Sequence, residues 1–310
     1  MRIVVALGGN ALLRRDEALT FGNQRRNIQL AAQALAPLAR QHQLVITHGN
    51  GPQVGLLALQ GEFYNPRESY PLDVLDAETE GMIGYLIEQE LMNYLPEHQS
   101  CVTVLTQIEV DAKDHAFQYP TKPIGPVYGR SEAEKRAQER GWSIARDGEN
   151  YRRVVASPRP LRILELGVIE LLASRGIIVI CVGGGGIPVV KHSDGRLVGV
   201  EAVIDKDSAS ALLARQLKAD CFLMLTDVDA VYRDWGTPRA QAIQRISTEA
   251  IGQLTFASGS MAPKVAAACE FVEQTGGVAG VGRLKDATAI LAGAAGTIIT
   301  SEPDPGLISH

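Results

Sequence analysis

Three of the eight lysines in the chain sit where folding stability alone would not choose a cation. Lys206 lies in Ile204-Asp205-Lys206-Asp207, at the start of a predicted helix. Lys264 lies in Gly259-Ser260-Met261-Ala262-Pro263-Lys264, near the start of another. A cation at a helix N-terminus meets the positive end of the macrodipole and costs roughly 0.3–1 kcal/mol. An anionic ligand at the same place reverses that sign. Asp207 is the expected organiser, because a carboxylate between two lysines fixes their geometry and keeps them protonated. It would also serve as a helix N-cap. Lys122 lies in Pro120-Thr121-Lys122-Pro123-Ile124-Gly125-Pro126. On its own it reads as a surface lysine, but the flanking prolines stiffen the loop and could aim the ammonium group.

Glycine turns supply the complementary signal. Three apolar runs end in Gly8-Gly9-Asn10, Gly49-Asn50-Gly51 and Gly183-Gly184-Gly185-Gly186. Glycine lets the backbone approach a phosphate, and a following helix adds partial positive charge. One such turn is ordinary packing chemistry; three together point to a phosphate site. Two common phosphate motifs are absent. No lysine follows a glycine, which excludes a Walker A loop, and Pro188 stands where a dinucleotide fingerprint would need its last glycine. Asp227, in Leu225-Thr226-Asp227-Val228-Asp229, falls just past a strand end, where it would contact nucleotide or metal or cap a turn.

The elements that must position these groups alternate. Short apolar runs at Ile3–Leu7, Leu44–Thr47, Ile177–Val182 and Phe222–Thr226 read as buried strands, with further strands at Val102–Val110, Val278–Val281 and Thr297–Thr300. Helical spacing over Ile28, Ala31, Leu35 and Leu38 predicts one helix. Others are expected at 77–94, 161–174, 208–217 and 261–273, with a hairpin over 187–200. Strand, helix, strand in repetition means right-handed crossovers and a mostly parallel sheet, whose C-terminal edge is the ligand edge. The expected fold class is a three-layer αβα sandwich around that open sheet, one domain over residues 1–310. Residues 111–160 break the rhythm, with five prolines, a charged helix at Arg130–Arg140 and a hairpin across Asp147-Gly148. They read as an inserted, protruding lid.

Composition narrows the class. Hydrophobic residues make up 45% of 310 and charged residues 21%, the balance of a globular enzyme rather than a disordered chain. Lys plus Arg number 30 against 35 Asp plus Glu, a formal charge of −5, which disfavours a nucleic-acid partner. No apolar stretch is long enough to span a bilayer, and the first run is shorter than a signal-peptide core. Cys101, Cys181, Cys221 and Cys269 form no CxxC pair, so buried thiols in a reducing, cytoplasmic setting are expected rather than a metal site.

These segments, taken in order over essentially the whole chain, resemble the carbamate kinases of the amino-acid kinase superfamily. The resemblance rests on Val5 through Ala11, Thr47 through Gly55, Arg152 through Pro158, Gly183 through Pro188, Glu201 through Asp207 and Gly259 through Lys264. Pro-Thr-Lys-Pro-Ile-Gly-Pro at 120–126 marks the carbamate kinase branch specifically. The resemblance implies ATP-dependent, reversible phosphorylation of carbamate to carbamoyl phosphate, Mg²⁺ with the nucleotide, and a homodimer. It implies that Lys122, Lys206 and Lys264 clamp phosphate, with Asp207 organising them. Gly8, Gly9, Asn10, Gly49, Asn50 and Gly51 would hold carbamate and the transferring phosphoryl group. Gly183, Gly184, Thr226, Asp227, Val228, Tyr232 and Met261 would hold the nucleotide, and no protein metal ligand is implied. Other superfamily members carry a lysine just before the first Gly-Gly, where this chain has Ala6 and Leu7; Lys122 is the expected substitute. The alternatives are a sister kinase acting on another carboxylate, or a non-catalytic protein that binds carbamoyl phosphate or ATP.

Overall fold

The computed structural model describes residues 1–13, 17–65, 68–256 and 261–302, with backbone alone at Asn10 and Ala11. An eight-stranded sheet forms its centre. Across the sheet the strands run Arg245–Ser247, Thr297–Thr300, Val278–Arg283, Cys221–Thr226, Arg2–Leu7, Gln43–His48, Ile178–Ile180 and Cys101–Thr103. Every neighbouring pair is parallel except Val278–Arg283 with Thr297–Thr300. The sheet is buried on both faces, which is why its strands read as continuous apolar runs. Ile3, Val5 and Leu7 pack on one side with Ile28, Leu35 and Ile83 of the long helices Phe21–Gln41 and Leu72–Met92. Val4 and Ala6 face the other, with Ile169, Leu213 and Phe271 of helices Leu166–Ser174, Lys206–Gln216 and Met261–Thr275. The three layers are those expected.

Two expectations change. The run Val102–Val110 is not one strand: Cys101–Thr103 belongs to the central sheet and Gln107–Val110 to a second, four-stranded sheet. The break between them is held by hydrogen bonding at Thr106, whose hydroxyl donates to the Val104 carbonyl at 2.7 Å and accepts from the Val182 N–H at 3.0 Å. The apolar run from Leu161 is not helical from its start. Pro160–Ile163 is a strand of the same second sheet, antiparallel to Gln107–Val110, and the helix begins at Leu166. Register there turns on tertiary pairing that a short apolar run does not reveal.

Residues Lys122–Tyr128, Ser143–Asp147 and Asn150–Val155 form a separate three-stranded antiparallel sheet, and helix Arg130–Arg140 packs on it. It joins the body through a small cluster of Val54, Leu72, Leu75, Ile124, Val155 and Val203. A close backbone approach joins Gly55, in helix Gly51–Tyr64, to Gly125, which has φ +68°. A Cβ at residue 55 would lie 2.5 Å from the Gly125 Cα. Gly55→Ala is therefore expected to destabilise the protein by about 1–3 kcal/mol, the scale of overpacking against immovable backbone. Gly22→Ala, where a Cβ meets open space, should leave stability unchanged or raise it by up to about 1 kcal/mol. Urea unfolding of the two variants checks both.

Candidate active site

The first two glycine turns meet at the C-terminal edge of the central sheet. Gly8 follows the strand Arg2–Leu7 and donates its N–H to the Leu225 carbonyl at 2.8 Å. Gly49 follows Gln43–His48 and donates to the Leu7 carbonyl at 3.1 Å. A Cβ on Gly8 would stand 3.1 Å from the Leu225 oxygen, and one on Gly49 would stand 3.3 Å from the Gly9 nitrogen and 3.8 Å from the Lys206 Cδ. The two turns and the Lys206 stem thus share one floor. Gly9 opens the short helix Gly9–Leu12, and Gly51 opens helix Gly51–Tyr64. The Asn10 side chain lies outside what the structure describes.

Asp207 joins two of the three singled-out lysines. Lys206 Nζ lies 2.7 Å from Asp207 Oδ1 and Lys264 Nζ lies 2.8 Å from Asp207 Oδ2. Asp207 is 5% exposed and Lys264 7%. Burial alone would raise the Asp207 pKa, but the two ammonium groups and their hydrogen bonds hold it below the usual carboxylate range. Burial lowers the pKa of Lys206, while Asp207 works to keep it charged. The N-cap role belongs to the neighbouring Asp205 rather than to Asp207. Its Oδ1 accepts from the N–H groups of Asp207 at 3.0 Å and Ser208 at 3.1 Å, and helix Lys206–Gln216 follows. Lys122, at the start of the strand Lys122–Tyr128, reaches the same place: its Nζ lies 2.7 Å from Asp205 Oδ2. Two acidic positions flanking Lys206 at one helix start therefore hold all three lysines.

Behind the Gly49 turn lies a buried polar layer in which the predicted Asn50 side chain turns inward and whose acids, Asp76 and Glu80, sequence reading passed over. Asn50 donates through Nδ2 to Asp76 Oδ1 at 3.0 Å and to Thr79 Oγ1 at 2.9 Å. Glu80 accepts from the Gly183 N–H at 2.7 Å and the Thr106 N–H at 3.1 Å. His48 is buried beside them, with Nδ1 3.2 Å from the Gly49 carbonyl oxygen. Burial pushes Glu80 up to about 8 and Asp76 well above its ordinary value, and lowers His48 to about 4. The available signal was helical spacing: Leu72, Leu75, Asp76, Thr79, Glu80 and Ile83 share one buried face.

The remaining predicted residues divide into two groups. Gly183 and Gly184 sit with the Gly49 turn: added Cβ atoms would strike the His48 ring and Glu80 at the first, and the Asn50 side chain at the second. Their strand neighbour, Ile178–Ile180, lies on the far side of Gln43–His48 from Cys221–Thr226. The structure therefore does not bring them together with the other expected nucleotide residues. Thr226 ends its strand beside Gly8 and donates through Oγ1 to Asp227 Oδ1 at 3.0 Å. Val228 lies in the turn that follows. Tyr232 donates its hydroxyl to Asp229 at 3.1 Å and packs edge-on to Trp235. Met261 is the first residue of the helix that carries Lys264. Gly259 and Ser260 of that motif lie outside the described residues.

The buried acids make stability depend on pH. Glu80 goes from an ordinary 4.5 to about 8 on folding, so its neutral form is favoured in the fold. The stability this gives is full below pH 4.5 and is lost as pH rises through 8. His48, lowered to about 4, acts oppositely, but only between pH 4 and 6.5. From pH 6.5 to 8 the Glu80 effect stands without it, and Asp76 acts in the same direction. Across that interval Glu80 by itself is expected to lower stability by about 2 kcal/mol, at about 1.4 kcal/mol per pH unit, and Asp76 adds to the fall. Glu80→Gln should flatten the decline; an equally steep fall in melting temperature for the variant would assign it elsewhere.

Comparison with known proteins places this geometry. The amino acid kinase family profile matches residues 1–280. The chain is 57% identical to a carbamate kinase of Haemophilus influenzae over 304 residues, covering 98% of each protein. It is 55% identical to a carbamate kinase of Rhizobium meliloti over 303 residues, covering 97% of this chain and 94% of that one. The solved carbamate kinase of Giardia lamblia bound to AMP-PNP superposes with a TM-score of 0.88 at 40% identity, covering 96% of this chain and 98% of that one. An isopentenyl phosphate kinase of T. acidophilum, at 14% identity and a TM-score of 0.56, shares the fold alone. With near-complete coverage in both sequence and structure, the chain belongs to the amino acid kinase family, among its carbamate kinases.

Proposed function

We propose that this chain catalyses reversible phosphoryl transfer between ATP and carbamate, giving carbamoyl phosphate and ADP. The observation that carries the reading is the buried Asp207 carboxylate holding the ammonium groups of Lys206 and Lys264 beside the Gly8-Gly9 and Gly49 turns. Carbamate is already an anion and needs no general base. The obstacle is repulsion: two unit charges 4 Å apart cost roughly 4 kcal/mol at an effective dielectric of about 20. In the forward direction a carbamate oxygen attacks the γ-phosphorus, the bond to the β–γ bridging oxygen breaks, and ADP leaves with that electron pair. The transition state spreads negative charge over the equatorial oxygens of the phosphoryl group. Fixed ammonium groups and turn N–H groups suit that charge, because they need no reorganisation as it develops.

The assignments follow position. Gly8, Gly9, Gly49 and Gly51 would receive carbamate and the moving phosphoryl group. Thr226, Asp227, Val228, Tyr232 and Met261, on the other side of the first strand, would receive the nucleotide. We assign Gly183 and Gly184 to supporting the Asn50 turn instead. Mg²⁺ would arrive with the nucleotide, neutralising phosphate charge. Among the described residues no group of three or more His, Cys, Asp or Glu is arranged to hold a metal. The hard oxygens of Thr226 and Asp227 fit an ion that keeps mostly phosphate and water ligands. Residues 111–160 would act as a lid that brings Lys122 over the site.

A cytoplasmic homodimer belongs to the same reading. Supporting it are free thiols at Cys101, Cys181 and Cys221, all buried, and exposed aromatic side chains at Phe63 and Tyr64. No described helix is long and apolar enough to cross a membrane.

The decisive assay is ATP formation from ADP and carbamoyl phosphate; its absence at high enzyme concentration would leave only a binding protein. Lys206→Ala and Lys264→Ala are each expected to lower turnover by at least about 10²-fold, the scale of removing one charged stabiliser. Near wild-type turnover in either would show that its role is misassigned. Lys122→Ala is expected to fall mainly in kcat with nucleotide affinity retained, and a normal kcat would remove the lid lysine from the mechanism.

A further inference from the structure

We infer that Asp205 is a positioning residue for phosphoryl transfer, docking the lid lysine Lys122 at the helix start that carries the other two lysines. The inference rests on the reaction proposed above. Each oxygen of the Asp205 carboxylate has a separate task. Oδ1 caps helix Lys206–Gln216 by accepting two backbone N–H groups, and Oδ2 accepts from Lys122 Nζ at 2.7 Å. The contact spans 83 residues of sequence. It links the strand Lys122–Tyr128 of the lid to the residue immediately before Lys206 and two before Asp207.

The electrostatics explain why a carboxylate is needed there. The exposed N–H groups of a helix start repel a cation. Lys122 approaches such a start, already crowded by Lys206 and Lys264 on Asp207. Without Asp205, three ammonium groups would gather around one carboxylate. With it there are two carboxylates for three ammonium groups, so the assembly keeps one net positive charge for an anionic substrate. Burial works to raise the pKa of Asp205, yet the Lys122 ammonium and its hydrogen bond hold it below the usual range.

The lid has its own attachments, so Asp205 acts on the lysine rather than holding the whole lid. Ile124 and Val155 are packed into the apolar cluster with Val54 and Val203. Arg140 of the lid helix pairs with Glu62 at 2.6 Å, and the Val203 N–H donates to the Ala156 carbonyl at 2.9 Å. Losing the Asp205 charge should therefore release the end of the Lys122 side chain while the strand stays in place.

Asp205→Asn separates the two tasks, because asparagine caps helices about as well as aspartate. Turnover in the direction of ATP synthesis is expected to fall at least about fivefold, with KM for ADP within about threefold of wild type. In a Lys122→Ala background the same substitution should change kcat by less than about twofold, since the partner is already gone. Independently of activity, acylation of Lys122 by an amine reagent, read by mass spectrometry, should be several-fold faster in Asp205→Asn. A smaller loss of kcat, a larger change in KM for ADP, or multiplying effects of the two substitutions would overturn the positioning role. Unchanged Lys122 labelling would overturn the docking itself. Asp205→Ser, which also caps, serves under the same thresholds should the asparagine variant not fold. A wild-type enzyme that makes no ATP would strike the proposed reaction, and the labelling would still decide the docking.

Discussion

Ammonium groups repel one another, and burying them costs more, yet phosphoryl transfer between anions needs several of them in one place. The arrangement around Asp207 resolves this conflict. One carboxylate, nearly sealed from solvent, takes an ammonium group on each oxygen. In low dielectric an unpaired charge is expensive, while a hydrogen-bonded pair is tolerated. Asp207 is held ionised by the lysines it organises, and they are held in place by it. The helix Lys206–Gln216 supplies two members of this group and helix Met261–Thr275 the third, so packing of these two helices is a condition of the arrangement. Phe271 and Leu213 lie in the shared core beneath them.

The sheet delivers everything else to the same edge. Parallel strands connected by helices put all their C-terminal ends on one side. Leu7, His48 and Thr226 therefore end side by side, and the turns that follow touch. The order across the sheet also separates two groups of turns. Thr226 lies on one side of the first strand; the Gly49 turn and the tetraglycine segment lie on the other. That separation is why a glycine-rich run with the look of a nucleotide loop belongs structurally with Asn50 and His48. Val182, at φ +53°, and Gly184 to Gly186, at φ between +69° and +110°, carry a tight path that a side chain would block against Asn50 or the Ile204 carbonyl.

A second group of ionisable residues supports the first without resembling it. Asp76 and Glu80 are one helical turn apart on the buried face of Leu72–Met92. Their hydrogen bonds run to Asn50, to the Gly183 N–H and to the Thr106 N–H. These are three separate segments of irregular backbone behind the site. Burying such acids is costly, and the raised pKa of Glu80 expresses that cost. The return is rigidity: loops that would otherwise leave N–H groups unsatisfied are tied to a long helix.

Much of this was legible in residue order. Apolar runs ending in glycine marked Arg2–Leu7 and Gln43–His48 because strands buried on both faces leave no room for polar alternation. Lys206 and Lys264 stood out because their positions opposed the helix dipole, and Asp207 because a carboxylate between two lysines would fix their geometry. The break at Thr106, the strand at Pro160–Ile163 and the contact of Asp205 with Lys122 were not legible, since each depends on a partner distant in the chain. Asp205 and Asp207 flank Lys206 symmetrically in sequence, and both are chemically fit to cap or to organise. Local propensity determined that a helix start with an acid on each side of a lysine lies there. Which carboxylate turns to the backbone and the lid, and which turns inward to two lysines, was decided only when the helices packed. Side-chain direction around a helix start is a property of the surrounding structure, not of the residues that compose it.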